Sequence, residues 1–295
     1  MVLSPPVLQT HSHSRQFESN VYVYPVLSRR SGGLSIGINL NVDKVCNFDC
    51  IYCQVDRTGP PPVFRVPKTV STLDIDRICA ELDLLLQGLA PSGPLWQQTP
   101  FSALQGAQAV VRDIAFSGDG EPTTVLEFES IVKRVVEVRN LRGFAATKIV
   151  IITNATGLGS ARVKRALAFL DDQNGEVWAK LDAGTTEWFQ MVDQTRLSLD
   201  RIQNQIVACA KIRPVVIQTC LFRLNGYPPP DTEMEAYIDR LNSMVTNGAQ
   251  IRTVHLYTVA RPPAVSAVTP LPADTLRDLG TRVSNATGLS VETFP

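Results

Sequence analysis

The sequence predicts an α/β protein in which a parallel sheet, wound by right-handed crossovers, curls into a full or partial barrel. Three observations predict it. From about residue 33 onward, strand-like and helix-like stretches alternate to the end of the chain. Some of the strand-like stretches, Lys148 to Thr153 (KIVIIT) above all, are apolar β-branched runs of the kind buried on both faces of a parallel sheet. Residues with chemistry to offer recur just after the expected strands, where ligands gather in such sheets. A chain of 295 residues, 44% of them hydrophobic, is long enough for the core that this architecture needs.

Residues 1–32 read as an irregular extension ahead of a barrel formed by residues 33–295. Tyr22, Val23, Tyr24, Val26 and Leu27 are too apolar for a free tail, so the extension is expected to pack on the barrel. Gly33 to Asn41 is a strand. Thr69 to Ala90 is a helix, with Ile78, Leu82 and Leu85 at helical spacing and Ser71 or Thr72 as its cap. Residues 91–110, rich in Pro, Gly, Gln and Ser, form a surface excursion. Val111 to Ser117 is a strand, and Val125 to Asn140 a helix. Lys148 to Thr153 is a strand, followed by a helix over Ala161 to Leu170. Strands then fall at Val177 to Asp182, Pro214 to Phe222, Thr253 to Val259 and Leu289 to Phe294. Helices fall at Leu199 to Ile212, Thr232 to Asn247 and Pro272 to Ala286. This amounts to roughly six strand–helix units.

Composition excludes several functions. Lys and Arg number 28 against 28 Asp and Glu. A broad basic face for nucleic acid is therefore not indicated, and a small-molecule substrate is favoured over tRNA. No apolar run reaches the ~18 residues of a membrane span. The N-terminus lacks the charged start and long apolar stretch of a secretory signal. Cys79, Cys209 and Cys220 are scattered through apolar segments as packing thiols, which points to a reducing compartment and a cytoplasmic protein.

The remaining cysteines are clustered. Cys46, Cys50 and Cys53 stand in the spacing C-x3-C-x2-C, with Tyr52 just before the last. Three thiolates hold three corners of a cubane iron–sulfur cluster and leave one iron open, and an open metal position is what separates a catalytic site from a structural one. Two other readings compete. Zinc wants four ligands, and none of His11, His13 and His255 lies at a zinc-finger spacing from the cysteines. Three buried thiols on one helix face would fit the spacing, but Asn47 and Asp49 between them argue for a loop.

Other candidates follow the later strands. Ser117, Gly118, Asp119, Gly120 and Glu121 (SGDGE) form a turn where glycines permit close backbone approach. That turn either cradles a ligand or simply ends in Glu121 capping the next helix. Asn154 closes the KIVIIT strand. Lys180 and Asp182 share a strand face by period-2 geometry, either as a buried ion pair or as ligand contacts. Gln218, and then Tyr257, end later strands. Arg223 and Arg261 suit an anionic substrate.

Beyond the triplet, Tyr24-Pro25-Val26-Leu27-Ser28-Arg29-Arg30, Ser35-Ile36-Gly37-Ile38-Asn39-Leu40, Gln54-Val55-Asp56-Arg57-Thr58, FSGDGEPT (116–123), KLDA (180–183) and Tyr257 with Arg261-Pro262-Pro263 resemble a branch of the radical S-adenosylmethionine (SAM) proteins related to the wyosine-type tRNA-modifying enzymes. The resemblance spans about residue 15 to the end. It implies a partial (β/α)6 TIM-like barrel and a [4Fe–4S] cluster on Cys46, Cys50 and Cys53. It further implies SAM as cofactor, chelating the open iron and contacting the Ser117–Glu121 turn, Tyr52, Asn154, Lys180, Asp182, Gln218 and Tyr257. Arg223 and Arg261 would meet the substrate. An oxygen-sensitive enzyme is expected, fed by an electron donor such as flavodoxin or ferredoxin. It would cleave SAM reductively and modify a small molecule through a radical. Transfer of a 3-amino-3-carboxypropyl group, wyosine-type tRNA modification and a non-catalytic cluster or metal-binding role are the alternatives. No cysteine motif for an auxiliary cluster of the wyosine type is present.

Overall fold

The structure is a computed structural model and describes residues 8, 15, 17–55 and 73–295. Two expectations fall outside these residues: Ser71 or Thr72 as helix cap, and Asp56-Arg57-Thr58 of the family-like stretch. The residues cluster into two compact units. Of the described residues, the first comprises 8, 15, 17–45, 73–151 and 161–176, and the second 46–55, 152–160 and 177–295.

In the first unit, β1 (Val23–Ser28) pairs antiparallel with β2 (Gly33–Ile38). The apolar run expected to pack on something thus does so as a regular strand. A carboxylate holds its start: Glu81 accepts the N–H groups of Val21, Tyr22 and Val23 at 2.8, 2.8 and 3.0 Å. Glu81 belongs to α1 (Ile75–Gly88), whose N-cap is Asp74, accepting from the Arg77 amide. The chain continues through β3 (Val111–Phe116), α2 (Phe128–Leu141), β4 (Lys148–Thr153) and α3 (Ala161–Asp171). β3 runs parallel to both β2 and β4, as the buried β-branched runs predict. Leu34, Ile36, Ile38, Ile114, Phe116, Phe128, Val132 and Ile149 are completely buried and form this unit's core.

The second unit takes up the chain within β5 (Gly175–Lys180). It continues through α4 (Thr186–Asp193), α5 (Leu199–Ala210), β6 (Val215–Cys220), β7 (Phe222–Leu224), α6 (Asp231–Thr246) and β8 (Ile251–Tyr257). It ends with β9 (Val268–Pro270), α7 (Ala273–Thr287) and β10 (Val291–Phe294). β6 runs parallel to β5 and β8, and β8 parallel to β10. β7 and β9 form a separate antiparallel ribbon.

Three of these elements, β7, β9 and α4, are not read from the sequence. The β7–β9 ribbon is too short to show a period. α4 has eight residues, about two turns, in a stretch left unassigned between Asp182 and Leu199. Its local signals are sound all the same: Thr185 accepts the Trp188 amide as N-cap, Glu187 lies in the first turn, and Phe189 and Val192 are buried three positions apart. The turn leading into α4 is tightly held. A Cβ on Gly184 would lie 2.1 Å from the Tyr237 nitrogen, so only glycine lets this turn approach α6. Glu233 of α6 accepts the Gly184 amide at 2.5 Å and the Thr185 amide at 3.0 Å, which fixes where α4 begins.

Candidate functional site

The cysteine stretch is a loop, as Asn47 and Asp49 suggest, and it lies in the second unit. Its support is the C-terminus of α4. The last turn of a helix leaves carbonyls without intrahelical partners. Here the loop supplies donors: Asp49 N–H reaches the Asp193 carbonyl at 3.1 Å, and Ile51 N–H the Val192 carbonyl at 2.9 Å. Gln194, at φ 43°, takes the left-handed conformation that ends the helix. Phe48 packs edge-on to Phe189 of α4 at 5.7 Å.

Asn47 ties the same loop to the end of β4. Its Oδ1 accepts from Asn154 Nδ2 at 2.7 Å, and its Nδ2 donates to Thr156 Oγ1 at 2.8 Å. Asn154 in turn accepts from the Thr156 amide and hydroxyl, while Ala155 between them sits at φ 67°. Asn154 therefore helps hold the cysteine loop. The far end is fixed where the Cys53 carbonyl accepts the Ala264 N–H at 2.9 Å.

Buried charges lie beneath the loop. Lys180, at the end of β5, places its Nζ 2.9 Å from Cys50 Sγ. The same nitrogen lies 3.1 Å from Asp182 Oδ2 and 3.1 Å from Asp193 Oδ1. It also stands over the Tyr52 ring at 4.8 Å from the centroid, a cation–π contact. Tyr52 donates its hydroxyl to Asp182 Oδ2 at 2.5 Å, and Asp182 Oδ1 accepts the Cys220 N–H at 2.8 Å. Asp182 and Asp193 are buried, with side chains 0% and 1% exposed.

Burial works against the ammonium of Lys180, but Asp193, Cys50 and Asp182 outweigh it and hold its pKa well above the ordinary lysine value. Burial pushes the Cys50 thiol up, and Lys180 opposes that shift. Burial also raises Asp193 to about 6, against the pull of Lys180. The group is an ammonium enclosed by acids, and Cys50 is one of them.

The structure thus brings Cys50, Tyr52, Lys180 and Asp182 together, and adds Asp193, which the sequence reading does not name. The local signals around Asp193, the Thr185 cap and the Phe189 and Val192 spacing, mark a short helix but not a carboxylate that meets Lys180. Gln218 of β6 is buried and stands opposite Lys180 in the ladder. Tyr257 ends β8 opposite Cys220, near enough to act on the charges of Lys180 and Tyr52. Arg223 lies on the β7–β9 ribbon opposite Thr269, with its Nε buried and without a hydrogen-bond partner. Arg261 follows β8.

The glycine-rich turn belongs to the first unit. Asn39 organises it, its Oδ1 accepting the Asp119 N–H at 3.1 Å and its Nδ2 donating to Asp119 Oδ2 at 2.7 Å. Arg15 pairs with Asp119 from the N-terminal stretch. A Cβ on Gly118 would lie 2.2 Å from Asn39 Oδ1, and one on Gly120 2.2 Å from the Val45 carbonyl oxygen. Tyr24 donates its hydroxyl to the Ser117 carbonyl at 3.2 Å. Glu121 accepts the Thr123 amide at 3.1 Å and caps the short helix Pro122–Thr124 rather than the helix expected from Val125, since Glu127 holds the N-cap position of α2.

The donor chemistry fits an iron–sulfur cluster. Three thiols lie within eight residues on one anchored loop, none of the six cysteines forms a disulfide, and a buried cation faces one thiol. Among the described residues no group of three His, Cys, Asp or Glu side chains is placed to hold a single metal ion. No helix among them is long and apolar enough to cross a membrane.

No protein-family model matches the chain. Over 84% of its length it is 21% identical to a protein named GTPase Obg from Brachyspira hyodysenteriae, of which it covers 32%. This chain has no Gly-Lys pair, hence no phosphate loop of the G-x-x-x-x-G-K-[ST] type. A UPF0026 protein of Synechocystis is 22% identical, with 92% of this chain and 96% of that protein covered. A radical SAM methyltransferase from Sphaerobacter thermophilus superposes with a TM-score of 0.55 at 12% identity, over 89% of this chain and 66% of that one. The chain has the fold of the radical SAM enzymes. Streptococcus suis SuiB, solved bound to S-adenosylmethionine, superposes with a TM-score of 0.56 at 14% identity over 89% of this chain. The chain spans 51% of that SuiB structure, about half its length.

Proposed function

We propose that the chain is a radical SAM enzyme in which Cys46, Cys50 and Cys53 bind a [4Fe–4S] cluster with one iron left for SAM. The observation that carries this reading is the cysteine triplet itself, C-x3-C-x2-C on one anchored loop, in a chain with this fold. When bound, the cluster supplies the single electron that breaks a sulfonium C–S bond of SAM, and the resulting radical takes hydrogen from a substrate.

The chain's own residues have separable tasks. Lys180 sets a positive charge against the one buried thiol of the triplet, which favours its thiolate form as a ligand. Asn47 and the end of α4 fix the loop before any ligand arrives, so little ordering is left for binding. Asn154, Gln218 and Tyr257 are assigned to SAM. Arg223 and Arg261 are assigned to an anionic group of a small-molecule substrate, and the buried Nε of Arg223 supports that role. The balanced charge of the chain supports a small molecule over tRNA. A flavodoxin or ferredoxin is the proposed reductant.

The test is anaerobic loading with iron and sulfide, then SAM with dithionite, and mass spectrometry of the nucleoside released. About four irons per chain and 5′-deoxyadenosine are expected. Cys50→Ala should lose both. Methylthioadenosine above a no-enzyme control would replace this reading with 3-amino-3-carboxypropyl transfer. One zinc and no iron would overturn it.

A further inference from the structure

We propose that Lys180 and Asp193 are opposed positioning residues of the cluster loop: the ammonium stabilises electron density on Cys50 and whatever metal it binds, and the carboxylate beside it limits that effect. The inference rests on the proposed cluster and concerns how readily that cluster is retained and reduced.

The geometry carries it. Lys180 Nζ donates to Cys50 Sγ at 2.9 Å and lies 3.1 Å from Asp193 Oδ1, so one nitrogen touches the ligand sulfur and a second acid at once. Asp193 also carries the loop mechanically, since its carbonyl accepts the Asp49 N–H and the preceding carbonyl accepts Ile51 N–H. Both side chains come from rigid positions, the end of β5 and the last turn of α4. Lys180 is restrained further by Asp182 and by the rings of Phe48 and Tyr52. A cation so restrained in a buried place acts at short range, where charges interact far more strongly than in water.

Net charge and hydrogen bonds to the sulfurs are what set the potential of an iron–sulfur cluster. A donated hydrogen bond and a positive charge on Cys50 favour the reduced cluster, which carries one more electron. A carboxylate at the same nitrogen disfavours it. Neutralising Lys180 and neutralising Asp193 should therefore shift the midpoint in opposite directions. A residue that only supports the fold has no reason to do so.

The experiment is a dithionite titration of the loaded protein, followed by electron paramagnetic resonance, for wild type, Lys180→Gln and Asp193→Asn. One electron enters per cluster from dithionite, and no bond is made or broken. The expected result is a lower midpoint for Lys180→Gln and a higher one for Asp193→Asn. Iron release to a chelator should be about tenfold faster in Lys180→Gln, the scale seen when groups around metal ligands are removed. Equal midpoints in all three proteins, or shifts of the same sign, would overturn the inference. If Lys180→Gln does not fold, as judged by circular dichroism without metal, Asp193→Asn decides alone: an upward shift supports the inference and no shift overturns it. A wild type that takes up no iron and sulfide would instead remove the proposed function beneath it.

Discussion

The two loops with most to offer chemically are built on different physics. The glycine-rich turn of the first unit is held by close backbone approach and by the amide side chain of Asn39, which satisfies Asp119 twice. The cysteine loop of the second unit is held partly by amides too, through Asn47, but beneath it lies an ammonium shared among Asp182, Asp193 and Cys50. Close packing tolerates loss of charge and not added volume. A buried charge network tolerates small changes of shape and not an unmatched charge. The comparison can be tested by substitutions that exchange these tolerances.

The largest effect is expected from Lys180→Met. It leaves two buried carboxylates and a thiol without their cation, and breaking a buried pair from one side costs about 3–5 kcal/mol. Urea unfolding of the metal-free protein would measure it, and a loss under about 1 kcal/mol would mean that water or protonation takes over the role of the cation. Gly120→Ala comes next. Its new carbon would meet the Val45 carbonyl, which cannot rotate away, so the upper end of the overpacking range, about 3 kcal/mol, is expected. Asn41→Ala should not rescue it, because it removes only the Asn41 Cγ and leaves both the Asn41 Cβ, 2.7 Å from the new carbon, and the Val45 carbonyl in place.

Tyr52→Phe should cost less, about 1.5 kcal/mol, as it removes one hydrogen bond to Asp182 while Cys220 N–H and Lys180 still serve that carboxylate. Thermal unfolding of the metal-free protein would report the loss.

The smallest effect concerns the first unit's own buried acid. Asp113 on β3 has its pKa raised by burial, against hydrogen bonds from Ser31 and Ser35 and the charge of Arg30. A carboxyl raised in this way holds its proton more tightly folded than unfolded, so stability falls as pH rises out of the ordinary carboxylate range through the native value. Asp113→Asn removes that slope. The variant should gain on wild type as pH rises above about 4, where the ordinary carboxylate has ionised. Parallel stability curves for the two proteins would show Asp113 ionised in the folded state throughout.

Much of this fold is legible in the sequence because long elements carry their period. Strands and helices fall within three residues of their expected places, from the strand at Gly33 to the helix ending near Thr287, except that α1 begins at Ile75, six residues after the expected Thr69. Errors concentrate where local signal is short or shared. Val177 to Asp182 is displaced by two residues from the observed β5, so Lys180 ends the strand and Asp182 lies beyond it, yet the two still pair. The strand at Val23–Ser28 is read as irregular because its burial depends on pairing with β2 and on Glu81, 58 positions away from Val23.

By itself the sequence determined the fold class and the cysteine spacing, since both rest on local patterns along the chain; it set Lys180 and Asp182 two positions apart without deciding between an ion pair and ligand contacts. Only the tertiary structure decided that Asp193 and Lys180 meet at Cys50. Lys180 lies 130 positions from that cysteine, and α4, which carries Asp193, is too short to announce itself by period. A buried charge pattern is a property of the folded chain: spacing shows which groups can ionise, and only packing shows which of them must share a cation.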